Sequence, residues 1–421
     1  MKYSGVEWIG EIPENWKLNK IGQLFNLRNE KVSDKDYSPL SVSKGGIVPQ
    51  MENVAKSDAS DDRKLVLKGD FAINSRSDRK MSCGVSPLDG SVSLINTILY
   101  PKNDDVIYND YMNYLLKNYG FAEEFYRWGH GIVADLWTTK WQEMKSIMLP
   151  LPSVQKQKAT YDFLNQKTEE IDSLIEIENQ QIEKLKEYVE SSIYEYLKKE
   201  LGVSIKDMSF ESRTSMKKIG ALSNLVTKQT GFDYSNTIKP TMLDNPNEDS
   251  LPYLQTRNFK NNYFNLNTEF YVPKSTWEQF PKLILDDETL LFSIVGASIG
   301  NVAIFPKSEK AFLGGAICRV NLVDKEYALF IKEIMLSRFG QEQINRKINS
   351  NAQGTITVQN VRDFLIPMPS KKDAVRIGQK CESMRKEVDD LITIKEKKID
   401  VLTEYKKSLI YEYVTGKKEV C

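Results

Sequence analysis

The feature that most constrains this chain is an internal repeat. Displaced by 217 residues, Ile147-Met148-Leu149-Pro150-Leu151-Pro152-Ser153 falls on Phe364-Leu365-Ile366-Pro367-Met368-Pro369-Ser370. Over residues 170–196, 14 of 27 positions match without a gap, which marks a duplication rather than coincidence. A second match, residues 20–27 with 218–225, has a displacement of 198. The later globular part therefore carries about 19 extra residues, most simply as loops. A duplicated segment folds twice in the same way. The 421 residues are enough for about three domains, and the repeat orders them as globular, helical, globular, helical. The boundaries are placed at 1–150, 151–205, 206–366 and 367–421.

The globular parts read as α+β. Short β-type runs at 38–42, 64–66, 70–74 and 92–100 are separated by Gly45-Gly46, Gly69-Asp70 and Asp89-Gly90 turns. The second part repeats the style at 251–257, 290–295, 301–305 and 316–322. Residues 110–128 and 328–348 are expected to be helical. Each Pro-x-Pro-Ser stretch ends a strand and starts a long helix, with Ser153 and Ser370 as caps. The helices are expected over about 154–200 and 371–415, with Gly202 and Gly416 as stops.

The long helices are patterned to pair. In the first, Ile171, Ile175, Glu178, Ile182, Leu185, Val189, Ser192 and Tyr196 alternate in steps of four and three. In the second, the same steps run through Val388, Ile392, Lys395, Ile399, Leu402, Lys406, Leu409 and Tyr413. This is a heptad seam. The predicted arrangement is an antiparallel coiled coil about a pseudo-two-fold axis, about 65–70 Å long at 1.5 Å per residue. Glu178 and Lys395 interrupt the seam at matching places. Register-setting or snorkelling side chains explain them better than a buried pair.

Catalytic chemistry is hard to place. One histidine, His130, precludes a multi-histidine metal site, and Cys83, Cys318, Cys381 and Cys421 form no C-x-x-C pair. There is no P-loop. Asp61-Asp62 and Asp286-Asp287-Glu288 read as solvated loops. Gly296-Ala297-Ser298-Ile299-Gly300 fits the nucleophile elbow, but that chemistry needs a histidine after the serine in chain order; here His130 precedes it. No apolar run approaches the ~20 residues of a membrane span, and scattered thiols suit a reducing cytoplasm.

Recognition chemistry remains. Ser43, Lys44, Arg76, Arg79 and Lys80 in the first globular part, and Gln255, Thr256, Arg257, Asn258 and Lys260 in the second, lie in or beside turns. Arginine and lysine suit phosphates and guanine; asparagine and glutamine suit adenine. The 58 basic and 58 acidic side chains cancel, so a tight sequence-independent grip by this chain alone is not expected.

The opening Ser4-Gly5-Val6-Glu7-Trp8-Ile9-Gly10-Glu11-Ile12-Pro13-Glu14-Asn15-Trp16, the duplicated helix starts and the Gly-Ala-Ser-Ile-Gly turn resemble type I restriction–modification specificity subunits. The resemblance spans essentially the whole chain. It implies two target recognition domains, each reading half of a bipartite asymmetric DNA site, and helices that set the spacing. It also implies two methyltransferase (modification) subunits as partners and, in the complete restriction enzyme, two motor–nuclease subunits. S-adenosylmethionine, ATP and Mg would sit on those partners and not on this chain. A non-enzymatic coiled-coil scaffold with two protein-binding heads is the alternative.

Overall fold

The computed structural model describes residues 1–50, 62–131, 137–202, 215–260, 263–348 and 354–420. The chain divides into two compact units, residues 1–178 with 397–421, and residues 179–396. In the first unit the principal elements are β1 (Lys17–Lys20), β2 (Phe25–Arg28), β3 (Leu40–Ser43), β4 (Gly46–Pro49), β5 (Phe71–Asn74), β6 (Cys83–Val85), β7 (Asn96–Pro101), α1 (Tyr119–Arg127), β8 (Met148–Leu151) and the start of α2 (Val154–Leu201). The second unit holds β9 (Ser215–Lys218), β10 (Ser223–Lys228), β11 (Leu251–Leu254), β12 (Thr289–Ser293), β13 (Val302–Phe305), β14 (Ile317–Leu322), α3 (Ala328–Leu336), α4 (Arg338–Asn345), β15 (Leu365–Met368) and the start of α5 (Lys371–Val414).

The repeat is visible in the strand order. The first unit has an antiparallel sheet ordered β6-β5-β7-β2, and the second has β13-β12-β14-β10. These are the same positions in chain order. The strand before each sheet pairs with the strand before each long helix, with Leu18 opposite Pro150 and Met216 opposite Pro367. Phe71, Ala72 and Ile73 on β5 are all buried, as are residues 289–293 of β12, because both faces of these central strands are covered. The smaller sheets have diverged. In the second unit β11 pairs parallel with the strand Ala311–Leu313.

The opening residues close the first unit on itself. Trp8, Ile9, Ile12 and Trp16 are buried. Tyr411 Oη donates to the Trp8 carbonyl (2.8 Å), Lys417 Nζ to that of Ile9 (2.6 Å), and Trp16 Nε1 to Glu419 (3.1 Å). The opening thus clasps the end of α5. Gly416 has φ +73°, and a Cβ there would lie 2.5 Å from Pro13; only glycine fits this close approach.

The long helices match their expected limits closely, and Gly202 adopts φ +66° as a helix stop. Ser370 Oγ accepts from the Asp373 amide (3.2 Å). The pairing is antiparallel in both units. In the first, Lys406 reaches Asp172 (2.5 Å) and Lys398 reaches Glu178 (2.6 Å). In the second, Arg376 reaches Glu200 (2.6 Å) and Lys395 reaches Gln181. Of the seam residues, Ile171, Ile182, Val189, Val388, Ile392 and Leu409 are buried, and Ile175, Leu185, Tyr196, Ile399, Leu402 and Tyr413 are half-buried. Glu178 is also buried, so it forms a pair rather than snorkelling.

Three expected elements are divided. The run at 92–100 breaks between strand Gly90–Ser93 and β7, where Asn96 Nδ2 donates to the Ser93 carbonyl (2.9 Å) and closes a turn. The helix at 110–128 restarts at Asn118, whose Oδ1 caps the Phe121 amide (3.0 Å). The helix at 328–348 breaks at Ser337. Gly340 then passes so close to Met335 that a Cβ would lie 2.3 Å from backbone.

In the second unit a buried charge cluster docks α3 on α5. Glu333, 1% exposed, lies 3.0 Å from Arg385 and 3.2 Å from Lys332, which also reaches Glu382 at 3.2 Å. Removing one member of such a cluster strands the others. Glu333→Gln is expected to lower stability by about 3 kcal/mol, read from denaturant unfolding.

Candidate nucleic-acid interface

The first candidate segment is a hairpin tip. β3 and β4 pair in register, Val42 opposite Ile47 and Ser43 opposite Gly46. Ser43 Oγ donates to the Gly46 carbonyl (2.9 Å), and Gly46 takes φ +113°. Ser43 is thus occupied in the turn, while Lys44 stands exposed at its tip.

The second segment joins β5 to β6 through a short 3-10 turn, Ser77–Arg79. Its backbone is tightly held. Tyr126 Oη donates to the Asn74 carbonyl (2.9 Å), the Ser77 amide donates to Trp137 (2.8 Å), and Ser75 Oγ meets Thr97 Oγ1 (3.0 Å). The turn carries three cations, each beside a carboxylate. Arg76 makes a two-pronged contact with Asp78 (3.0 Å each), Arg79 lies 3.7 Å from Asp78, and Lys80 lies 3.0 Å from Glu123. Exposed pairs of this kind contribute little to stability, so a phosphate can replace the carboxylate.

The equivalent turn in the second unit is Gly296–Ser298, between β12 and β13. Isolated bridges mark the equivalence: Arg76 with Thr138, and Val295 with Thr355. Gly296 and Gly300 have φ of +80° and +93°. Ser298 Oγ hydrogen-bonds Ser293 Oγ (2.7 Å). His130 is an exposed loop residue whose amide donates to the Thr138 carbonyl in the first unit. The Gly-Ala-Ser-Ile-Gly segment is therefore a tight turn, as the sequence implied.

The third segment follows β11. Gln255, Thr256 and Arg257 line a cavity of about 350 Å³ with Tyr234, Tyr253 and Gly314. Tyr234 and Tyr253 stack with centroids 6.2 Å apart. Tyr253 Oη donates to Gln229 (2.9 Å), and burial pushes this phenol up to about 12, so it stays neutral. Arg257 is exposed and lies 2.9 Å from Glu269, whose carboxyl it holds below the usual range by hydrogen bonding.

Asn258 requires a correction. It is 1% exposed, donates from Nδ2 to the carbonyls of Asn265 (2.6 Å) and Asn267 (2.9 Å), and accepts from the Gln255 amide (2.8 Å). With its amide spent on backbone groups, it staples the loop and has nothing to offer a base. Lys260 lies in a short strand, and its side chain falls outside the described residues.

The remaining polar clusters serve structure. Asp287 pairs with Lys325, and Asp62 lies 2.6 Å from Lys31, whereas Asp61 falls outside the described residues. Burial pushes the Cys83, Cys318 and Cys381 thiols up to about 12, far from a nucleophile's range; Cys421 falls outside the described residues. Among the described residues, no group of three or more histidine, cysteine, aspartate or glutamate side chains could hold a metal. No helix there is long and apolar enough to cross a membrane.

Comparison with known proteins agrees with this geometry. Residues 232–404 match the family model described as the type I restriction modification DNA specificity domain. The chain is 24% identical to a putative type I restriction enzyme MjaX specificity subunit of Methanocaldococcus jannaschii, over 98% of this chain and 96% of that one. It is 22% identical to the MjaVIII specificity subunit of the same organism, over 66% of this chain and 63% of that one. The fold is shared with a chain from a structural study of complex assembly and conformational transition of the type I R-M system. That match has a TM-score of 0.69 and 10% identity, and covers 96% and 98% of the two chains. Over essentially its whole length the chain is similar to specificity subunits of the type I restriction–modification class.

Arg257→Ala is expected to weaken DNA binding about tenfold or relax one base position, measured against a panel of duplexes. Asn258→Ala is expected instead to lower thermal stability by about 1–3 kcal/mol, because it leaves buried backbone groups unpaired.

Proposed function

We propose that each globular part reads one half of a bipartite, asymmetric DNA target, and that the paired helices set the spacing between halves. The observation that carries this reading is the recurrence of one sheet order, one strand–turn–strand and one pairing strand in both units. Two copies of a reading scaffold that differ in their loops suit two different half-sites. Residues 1–150 and 206–366 then act as target recognition domains, with 151–205 and 367–421 as helical spacers. The chain itself recognises and does not catalyse. Ser43, Lys44, Arg76, Arg79, Lys80, Gln255, Thr256, Arg257 and Lys260 are the DNA-facing candidates. Asn258 is withdrawn from that set.

The helices also dock two methyltransferase subunits. The support lies in side chains that the seam leaves outside. In the first unit Leu174, Ile177 and Tyr405 are exposed by 45%, 47% and 53%. In the second unit Leu391, Ile394 and Tyr188 are exposed by 48%, 62% and 64%. Each residue of one set is the 217-residue image of a residue in the other. Large apolar residues kept identical on water-facing positions mark two equal contact faces. The complex would then methylate adenine with S-adenosylmethionine bound by those partners, and motor–nuclease subunits would complete the restriction enzyme in the cytoplasm.

Co-purification with the methyltransferase subunit, followed by native mass spectrometry, tests the docking. Two copies per chain are expected. Leu174→Asp with Ile177→Asp is expected to leave one. An unchanged count from that variant would remove this face from the interface.

A further inference from the structure

A groove in the first unit is built for a polyanion. It encloses about 720 Å³ and lies between the β3–β4 hairpin tip, the turn before α1, and the paired helices. Four lysines line it: Lys44, Lys117, Lys406 and Lys407. Among the described residues, no carboxylate does.

Not all of this charge is explained by packing within the fold. Lys406 pairs with Asp172 and Lys407 with Glu404 (2.7 Å). Lys44 and Lys117 make no ion pair or hydrogen bond among the described residues. Lys117 is half-buried, and burial together with the nearby Lys406 pushes its ammonium below the usual range. Burying an unpaired ammonium beside another costs stability unless an anion arrives. The repeat adds a second sign. Lys406 occupies a seam position where the other copy has the buried Val189, and Lys407 stands where it has Glu190. The basic groove therefore belongs to one copy only, and it sacrifices apolar seam packing.

Three neutral side chains in the groove are engaged within the fold. Asn113 Oδ1 accepts from the Val85 amide (2.8 Å), Asn118 caps α1, and Tyr114 Oη meets Thr168 (3.0 Å). What faces outward is chiefly lysine charge, which suits phosphate more than base edges.

We propose that this groove holds the sugar–phosphate backbone of the DNA as a sequence-independent grip beside the reading loops. The proposal rests on the DNA-recognition reading above. Contact at this site would let an overall neutral chain bind phosphate on one side only.

The test uses the full chain co-purified with its methyltransferase subunits and a fluorescent random-sequence duplex of roughly 30 base pairs, titrated between about 50 and 200 mM salt. Lys117→Gln and Lys44→Gln are each expected to lower the slope of log affinity against log salt by about one, and the affinity about three- to tenfold. Lys117→Arg is expected to restore both, which separates charge from packing. Unchanged slopes in both glutamine variants, with wild-type binding intact, would overturn the groove while leaving the recognition reading standing. A wild-type complex that binds no duplex would overturn the recognition reading and the groove with it. Loss of methyltransferase copies with unchanged slope would reassign the groove to protein contact.

Discussion

Everything in this protein depends on the seam between its two long helices. A helix of 48 residues with an apolar stripe cannot leave that stripe in water. The stripe of α2 is buried against that of α5, and in both units the two run antiparallel. Each unit consequently combines one globular part with segments of both helices. The N-terminal residues strengthen this arrangement: Trp8 and Trp16 hold the end of α5, roughly 400 positions away in sequence. The seam and the clasp join segments that are remote in the chain, and the recognition loops are mounted on what they join.

The charge distribution explains how a neutral protein can face DNA. Arg76, Arg79, Lys80 and Arg257 are each beside an exposed carboxylate. Such pairs cost little to exchange. In the proposed reading they would offer cations where a phosphate or base edge displaces the acid. The turns beneath them are rigid, held by buried hydroxyls and backbone bonds, so the cations are presented in place rather than on loose loops.

Much of this was legible in the sequence, because repetition and heptad spacing are one-dimensional signals. The limits of both long helices and the glycine turn that imitates a nucleophile elbow read correctly. What escaped was decided by partners distant in the chain. The type of Asn258 suits adenine, yet its amide points inward to Asn265 and Asn267. Glu178 reads as a snorkelling interruption, yet it is buried against Lys398. Lys117 carries no motif at all, and only the fold brings it to Lys406. The helix breaks at Asn118 and Ser337 had a signal, a capping residue inside an apolar period, which the period outweighed.

In the proposed division of labour this chain supplies sequence specificity and its partners supply chemistry. The most direct measurement is a map of methylated adenines in cells expressing the chain with its methyltransferase subunit, beside cells lacking the chain. A two-part motif with a fixed gap is expected, and it vanishes when the chain is absent. A map unchanged by its loss would contradict that division.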